Sequence, residues 1–491
     1  MKFIKMRNNN ILYIVALLFS FAACKDLEPD VDYANGSGSL DVSKYVAIGN
    51  SLTAGFANNG LYEAAQVQSF PAIFSKQLTP FGINEISQPI AVRTGTGYQV
   101  LTGFDPQTGS PIIDMISNEA DQMAFMQKVD YSINNYGVPG IKVMQLNTPL
   151  LSANPFFARI SNDGDTYLDL IKRSEMTFFT MWLGSNDVLD YAIVGGSSGE
   201  EALTPQAVFE GNYSLMLDVL KEKQAKGVIG TIPDIGLIPF FTTVGPTLVS
   251  GLKAQGFQPG TVPVAQAAGL EFAFKAMGYT FQNEKGEASD VLFQRGNVEG
   301  AEIAYITPYF ESGKTGSKVL GALRWDESNQ ELELTSTFIP LTAQNGVLAK
   351  LAFIEANIAK ALEEAAKGNF ELLIEFIFAS ELILDPREYG LAVDRTGVFN
   401  NFIEGQESSD FAIYHSNDAL MPLANPSYLL ENGTSFTSQY ILGGAFSLDG
   451  IHMTPRGYAY VANGFIDAAN KKFGSKFPRA FAWDYPAVDL P

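Results

Sequence analysis

The chain has 491 residues, of which 46% are hydrophobic, 12% aromatic and 17% charged. That is ample material for a large buried core and excludes the aromatic-poor, highly charged composition of an extended disordered chain. A formal charge of −21 argues against nucleic-acid partners and against adhesion to anionic lipid through a basic patch. The single cysteine excludes an intramolecular disulfide, so stability must come from packing.

Lys2, Lys5 and Arg7 precede an uncharged apolar run from Ile11 to Ala23 (ILYIVALLFSFAA). The run falls short of the roughly 20 residues that a membrane-spanning helix needs and reads as a secretory signal. It ends in Ala22-Ala23-Cys24, which resembles the lipobox of bacterial lipoproteins. That resemblance implies removal of residues 1–23, lipidation of Cys24, a membrane partner reached through an N-terminal lipid anchor, and an extracytoplasmic, outer-membrane location. Residues 24–43 are acidic, contain Gly and Ser, and lack apolar periodicity; they are expected to be a solvated tether.

Five short apolar runs have the composition of buried parallel strands: Tyr45–Ile48, Tyr131–Asn134, Met176–Leu183, Val228–Ile232 and Gly390–Val393. Segments long enough for crossover helices separate them. They predict an open α/β sheet, whose ligand sites lie beyond the carboxyl ends of its strands. Between about 236 and 345 the rhythm breaks. Gly- and Pro-bearing stretches alternate there with Phe-rich runs, and Ala301–Phe310 and Glu331–Phe338 read as strands. An inserted subdomain, serving as lid or substrate wall, is expected at 236–345, dividing the main domain into 44–235 and 346–491. Leu351, Ile354, Ile358, Leu362 and Ala365 predict a scaffold helix after it. A last helix is signalled by Thr454 as N-cap, Pro455 at the first helical position, apolar residues from Tyr458 to Ala469 at helical spacing, and Lys471, Lys472 and Gly474 as a stop.

The first strand runs into Gly49-Asn50-Ser51-Leu52. A serine at a strand-to-helix junction has an exposed hydroxyl and backbone N–H groups nearby that can face a developing oxyanion. Such a hydroxyl needs a base, and imidazole is the usual one. The chain has two histidines, His415 and His452. His452 follows Asp449 by three positions, just before a helix start, so one loop can present both groups; His415 has no such arrangement. Two separated histidines and one cysteine leave only carboxylates as further ligands, so neither a metal nor a cofactor is expected.

The second strand ends in Asn135-Tyr136-Gly137-Val138-Pro139-Gly140, the third in Gly184-Ser185-Asn186-Asp187, and the C-terminal block is Asp449-Gly450-Ile451-His452. With Gly49-Asn50-Ser51-Leu52 these segments, in this order, resemble the conserved blocks of the GDSL/SGNH hydrolases. The resemblance implies a flavodoxin-like three-layer α/β sandwich with a parallel sheet of about five strands, and a serine esterase or lipase-like acylhydrolase acting on carboxylic esters through an acyl-enzyme. It implies Ser51 as nucleophile, His452 as base, Asp449 as the acid orienting it, and Ser51, Gly137 and Asn186 as the oxyanion hole. Asp187 is assigned to loop support. The family's namesake aspartate is here Asn50, which keeps a hydrogen-bonding side chain and loses the charge. The alternative from another class is a surface lipoprotein that keeps this scaffold and binds glycan or lipid without turnover.

Overall fold

A computed structural model of the protein describes residues 36–245 and 338–491, apart from 84–85, 108, 150–153, 375–376 and 385. Between 246 and 337 it describes residues 271–278 and several short strands. Cys24 and the leader lie outside the described residues.

Strands β1 (Tyr45–Gly49), β2 (Asn135–Gly137), β3 (Phe178–Trp182), β4 (Lys226–Gly230) and β5 (Phe411–Tyr414) form one sheet in the order β2-β1-β3-β4-β5. Every neighbouring pair is parallel. β1, β3 and β5 are buried at every position, because helices flank the sheet; hence the continuous apolar runs rather than alternation. The protein is thus an α/β fold around a five-stranded parallel sheet, in the flavodoxin-like strand order. In that order the chain reverses direction between β1 and β3, which opens a crevice at their carboxyl ends.

Seven helices brace the sheet or carry residues of the crevice: α1 (Ser51–Ala54), α2 (Phe70–Leu78), α3 (Tyr167–Arg173), α4 (Asn186–Ala192), α5 (Gln206–Glu222), α6 (Pro386–Glu404) and α7 (Pro455–Phe473). α2 and α7 pack against each other through the stacked rings of Phe70 and Phe465, both of which also meet Trp182 of β3. α5 and α6 pack together through Phe209 and Phe399, whose ring centroids lie 3.7 Å apart.

The fifth strand is Phe411–Tyr414, not Gly390–Val393, which lies inside α6. Ala392, Thr396, Phe399 and Ile403 recur at helical spacing and are all buried, a pattern that a four-residue apolar run conceals. The second strand begins at Asn135 rather than Tyr131, whose side chain is half exposed. Residues 36–43, read from sequence as the end of a tether, belong to the folded body: Leu40 and Val42 are buried, and the chain pairs with Phe473 and Lys476 at the end of α7. Strands occur at Ala301–Ile306 and Glu331–Leu334, within the two runs expected, and a helix spans Gln344–Ala366.

Candidate active site

Ser51 opens α1 directly after β1. Asn50 caps that helix, its Oδ1 accepting the Leu52 N–H at 3.0 Å, a capping role that asparagine fills as well as aspartate. The Asn50 side chain thus holds the turn that carries Ser51 without placing a second buried carboxylate beside it.

His452 reaches Ser51 from the other end of the chain. Its Nε2 lies 2.8 Å from Ser51 Oγ and its Nδ1 lies 3.0 Å from Asp449 Oδ2. The loop that holds this pair is fixed from both sides. On one side, Thr454 Oγ1 accepts the Gly457 N–H at the start of α7 and donates to the Gly444 carbonyl, and Ser447 N–H donates to the His452 carbonyl. On the other, the turn after α1 clamps it: Asn58 Oδ1 accepts the Leu448 N–H, Asn58 N–H donates to Ser447 Oγ, and Asn59 N–H donates to Asp449 Oδ2. Gly450, at φ 71°, lets the chain turn back so that the N–H groups of Ile451 and His452 both donate to Asp449 Oδ1.

Burial alone would raise the Asp449 carboxyl, but the His452 ring beside it, its hydrogen bond, and the backbone N–H groups of His452 and Asn59 outweigh burial and hold it well below the usual carboxylate range. A buried carboxylate kept ionised orients the imidazole and stabilises its cation. Phe56 packs on the His452 ring at 4.7 Å between centroids, covering it from one side.

Asn186, the first residue of α4 after β3, is buried, and its Nδ2 donates to the Ile141 carbonyl at 2.9 Å. The amide keeps a second hydrogen for another acceptor. Gly137 stands where a side chain would collide with the backbone of Thr53 and Ala54, so it lets α1 lie against β2. Its N–H donates to Asn135 Oδ1 at 2.9 Å and is therefore occupied. Gly140, three residues on, is exposed at φ 78° next to Ile141. Its N–H and that of Ser51 donate to no acceptor among the described residues. Sequence reasoning passes over Gly140, although the Pro139-Gly140 turn signal stands in the same block.

Asp187 is pushed up to about 6 by burial, against the pull of the Val143 N–H and the Thr204 hydroxyl. It accepts from Val143 N, Met144 N and Thr204 Oγ1 and so ties the loop after β2 to α4. His415 lies outside the Ser51 constellation: its Nδ1 is 3.1 Å from Glu404 Oε1, both half exposed.

Beside Ser51, Asn186 and His452 is a cavity of about 30 Å³ with walls from Trp182, Leu189, Ile238, Phe446 and Met453. Ile238 belongs to the start of the expected insertion. Phe240, two residues on, donates its N–H to the Gly450 carbonyl, so the described entry into that region borders the site. No group of three or more His, Cys, Asp or Glu that would hold a metal occurs among the described residues.

The fold and site together define an α/β protein carrying a Ser–His–Asp constellation at the crevice of its parallel sheet. No protein-family model and no curated protein matches the chain. A solved structure described as a lipolytic protein of the G-D-S-L family, from Desulfitobacterium hafniense DCB-2, is similar over 44% of this chain and 74% of that one, at 14% identity and a TM-score of 0.19; so slight a likeness carries no argument.

Proposed function

We propose that the protein is a serine ester hydrolase of the GDSL/SGNH type. The observation that carries this reading is the continuous chain Ser51 Oγ, His452 Nε2, His452 Nδ1, Asp449 Oδ2, with links of 2.8 and 3.0 Å, built from residues 401 positions apart. Ser51 Oγ attacks the acyl carbonyl carbon as its proton passes to His452 Nε2. The tetrahedral oxyanion is received by the Ser51 N–H, the Gly140 N–H and the second hydrogen of Asn186 Nδ2. Collapse breaks the ester C–O bond, and the His452 proton passes to the departing alcohol oxygen. Water, deprotonated by His452, then attacks the acyl-enzyme, releasing the acid and regenerating Ser51.

Gly140 replaces Gly137 as the backbone donor in this reading because the Gly137 N–H is spent on Asn135. Cys24 is proposed as the lipidated residue, holding the enzyme to a membrane outside the cytoplasm. Cys24→Ala should leave unprocessed precursor or release the protein from the membrane fraction. The function is tested by following acid release from 4-nitrophenyl acetate. Wild type should turn over and Ser51→Ala should not; equal rates above the uncatalysed background would remove Ser51 from the reaction, and no turnover by the wild type would favour the non-catalytic binder.

A further inference from the structure

Resting on that reading, the oxyanion donors come from two places, the loop after β2 and the start of α4, and one buried carboxylate joins them. Gly140 offers its N–H from the loop, and the carbonyl of Ile141 beside it holds the Asn186 amide at 2.9 Å. Two residues further on, the Val143 N–H donates to Asp187 Oδ2 at 2.7 Å and the Met144 N–H to Asp187 Oδ1 at 3.3 Å. Asp187 follows Asn186 directly on α4. The loop is therefore tied to α4 twice, once through the amide that serves the reaction and once through the carboxylate next to it. At 1% exposure Asp187 is out of reach of substrate. Its remaining partner is the hydroxyl of Thr204, itself fully buried, at 2.7 Å from Oδ1.

These partners differ in what they tolerate. Backbone N–H groups only donate, and they bind an ionised carboxylate more strongly than a neutral acid. A hydroxyl donates or accepts, so Thr204 alone can turn to receive a proton from Asp187 Oδ1. Protonation is thus accommodated, with weaker bonds to the two N–H groups that hold the loop. Of the charged groups nearby, Lys142 on the loop favours the ionised form and is itself paired with Asp190 of α4 at 2.8 Å. Arg395 of α6 donates to the Thr204 carbonyl at 2.6 Å and lies 3.7 Å from Glu200. Burial outweighs all the donors and lifts the carboxyl to about 6. The loop is held by a carboxylate above that pH and by a carboxylic acid below it.

We propose that Asp187 is the positioning residue of the oxyanion hole. Ionised, it holds the loop 139–144 so that the Gly140 N–H and the Asn186 amide converge on the oxyanion; protonated, it lets the loop relax and turnover slows. It touches no reacting atom and acts through the backbone of Val143 and Met144.

The test follows kcat and KM for 4-nitrophenyl acetate against pH in the full-length wild type, in Asp187→Asn and in Thr204→Val. Asparagine keeps one carbonyl oxygen for Val143 and turns its NH₂ toward Thr204, as the protonated acid turns its O–H, so it fixes the relaxed state. His452 must be free of its proton in both proteins, and the ratio of their kcat values cancels that requirement. The ratio of wild type to Asp187→Asn should rise from near one at about pH 5 to about tenfold at about pH 8, with its midpoint at about 6. KM should not change, because the ground state carries no oxyanion. Thr204→Val removes a hydrogen bond that holds the carboxyl down, so the fall in kcat should begin at higher pH. The ratio of wild type to Thr204→Val should then peak just above pH 6 and decline on either side. A wild-type to Asp187→Asn ratio that is constant with pH, or a pH dependence carried by KM, would make Asp187 a structural residue only and overturn the proposal while leaving the esterase reading intact. If Asp187→Asn does not fold, a flat wild-type to Thr204→Val ratio overturns it instead. No hydrolysis by the wild type at any pH would remove the esterase reading and this proposal with it.

Discussion

The protein's two histidines each stand beside a carboxylate at nearly the same distance: His452 Nδ1 is 3.0 Å from Asp449, and His415 Nδ1 is 3.1 Å from Glu404. Their surroundings differ. The side chains of His452 and Asp449 are 13% and 8% exposed, against 48% and 45% for His415 and Glu404. Asp449 also accepts three backbone N–H groups, and His452 has Ser51 at its far nitrogen and Phe56 against its ring. A histidine–carboxylate contact at the surface is screened by water and contributes little; the same contact under cover, with a serine hydroxyl at the other ring nitrogen, has the geometry that proton transfer from a serine requires. Burial and the third partner separate the two pairs, not the distance.

Removing the serine or the base should have the largest effect. Ser51→Ala and His452→Ala should each lower kcat for ester hydrolysis about 10⁴-fold or more, and the double variant should add little, because members of a unit are not additive. A further large loss in the double variant, measured on the same ester, would mean that the two act separately. Next in size is the orienting pair: Asp449→Asn should cost about 10²–10⁴ in kcat by disturbing the imidazole tautomer, whereas Glu404→Gln should leave kcat within about twofold. Asn186→Ala should cost about 10²–10³ in kcat with little change in KM, the signature of a donor used only by the oxyanion.

Smaller effects separate the two buried aspartates of the site. Asp449, depressed in the fold, adds stability at pH above its unfolded-state value, and that stability is lost as pH falls toward its folded value. Asp187, raised to about 6, acts in the opposite sense: its contribution is greatest below its unfolded-state value near pH 4 and declines as pH rises to about 6. Asp187→Asn should therefore flatten the fall in Tm between pH 4 and 6, whatever its effect on absolute stability. An unchanged Tm slope would show that Asp187 ionises normally in the fold. Smallest of all, His415→Ala should leave kcat/KM within about twofold and stability within about 0.5 kcal/mol, as surface substitutions do.

Much of the fold and the site is legible in the sequence, and what is hidden there has physical reasons. The strand ends carrying Ser51 and Asn186, and the spacing from Asp449 to His452, are local patterns that sequence displays directly. The run Gly390–Val393 is ambiguous because four apolar residues fit a strand or a helix equally; Phe399 and Ile403, on the same helical face, decide it. The clamp from Asn58 and Asn59 onto the Asp449 loop joins residues about 390 positions apart and works largely through backbone N–H groups, which leave no side-chain signature. The Asn-Asn-Gly segment at 58–60 carries a turn signal, but nothing in it names its partner. Gly137 and Gly140 are equivalent glycines on paper. Only the Asn135 side chain, by taking the Gly137 N–H, shows which of the two is free.

Fluorophosphonate labelling read by peptide mass spectrometry shows whether Ser51 is a nucleophile activated by His452 and not by His415. Label should appear on the Ser51 peptide in the wild type and in His415→Ala at comparable rates, and should be nearly abolished in a folded His452→Ala. Label on another serine, or on Ser51 at wild-type rate in His452→Ala, would contradict that assignment.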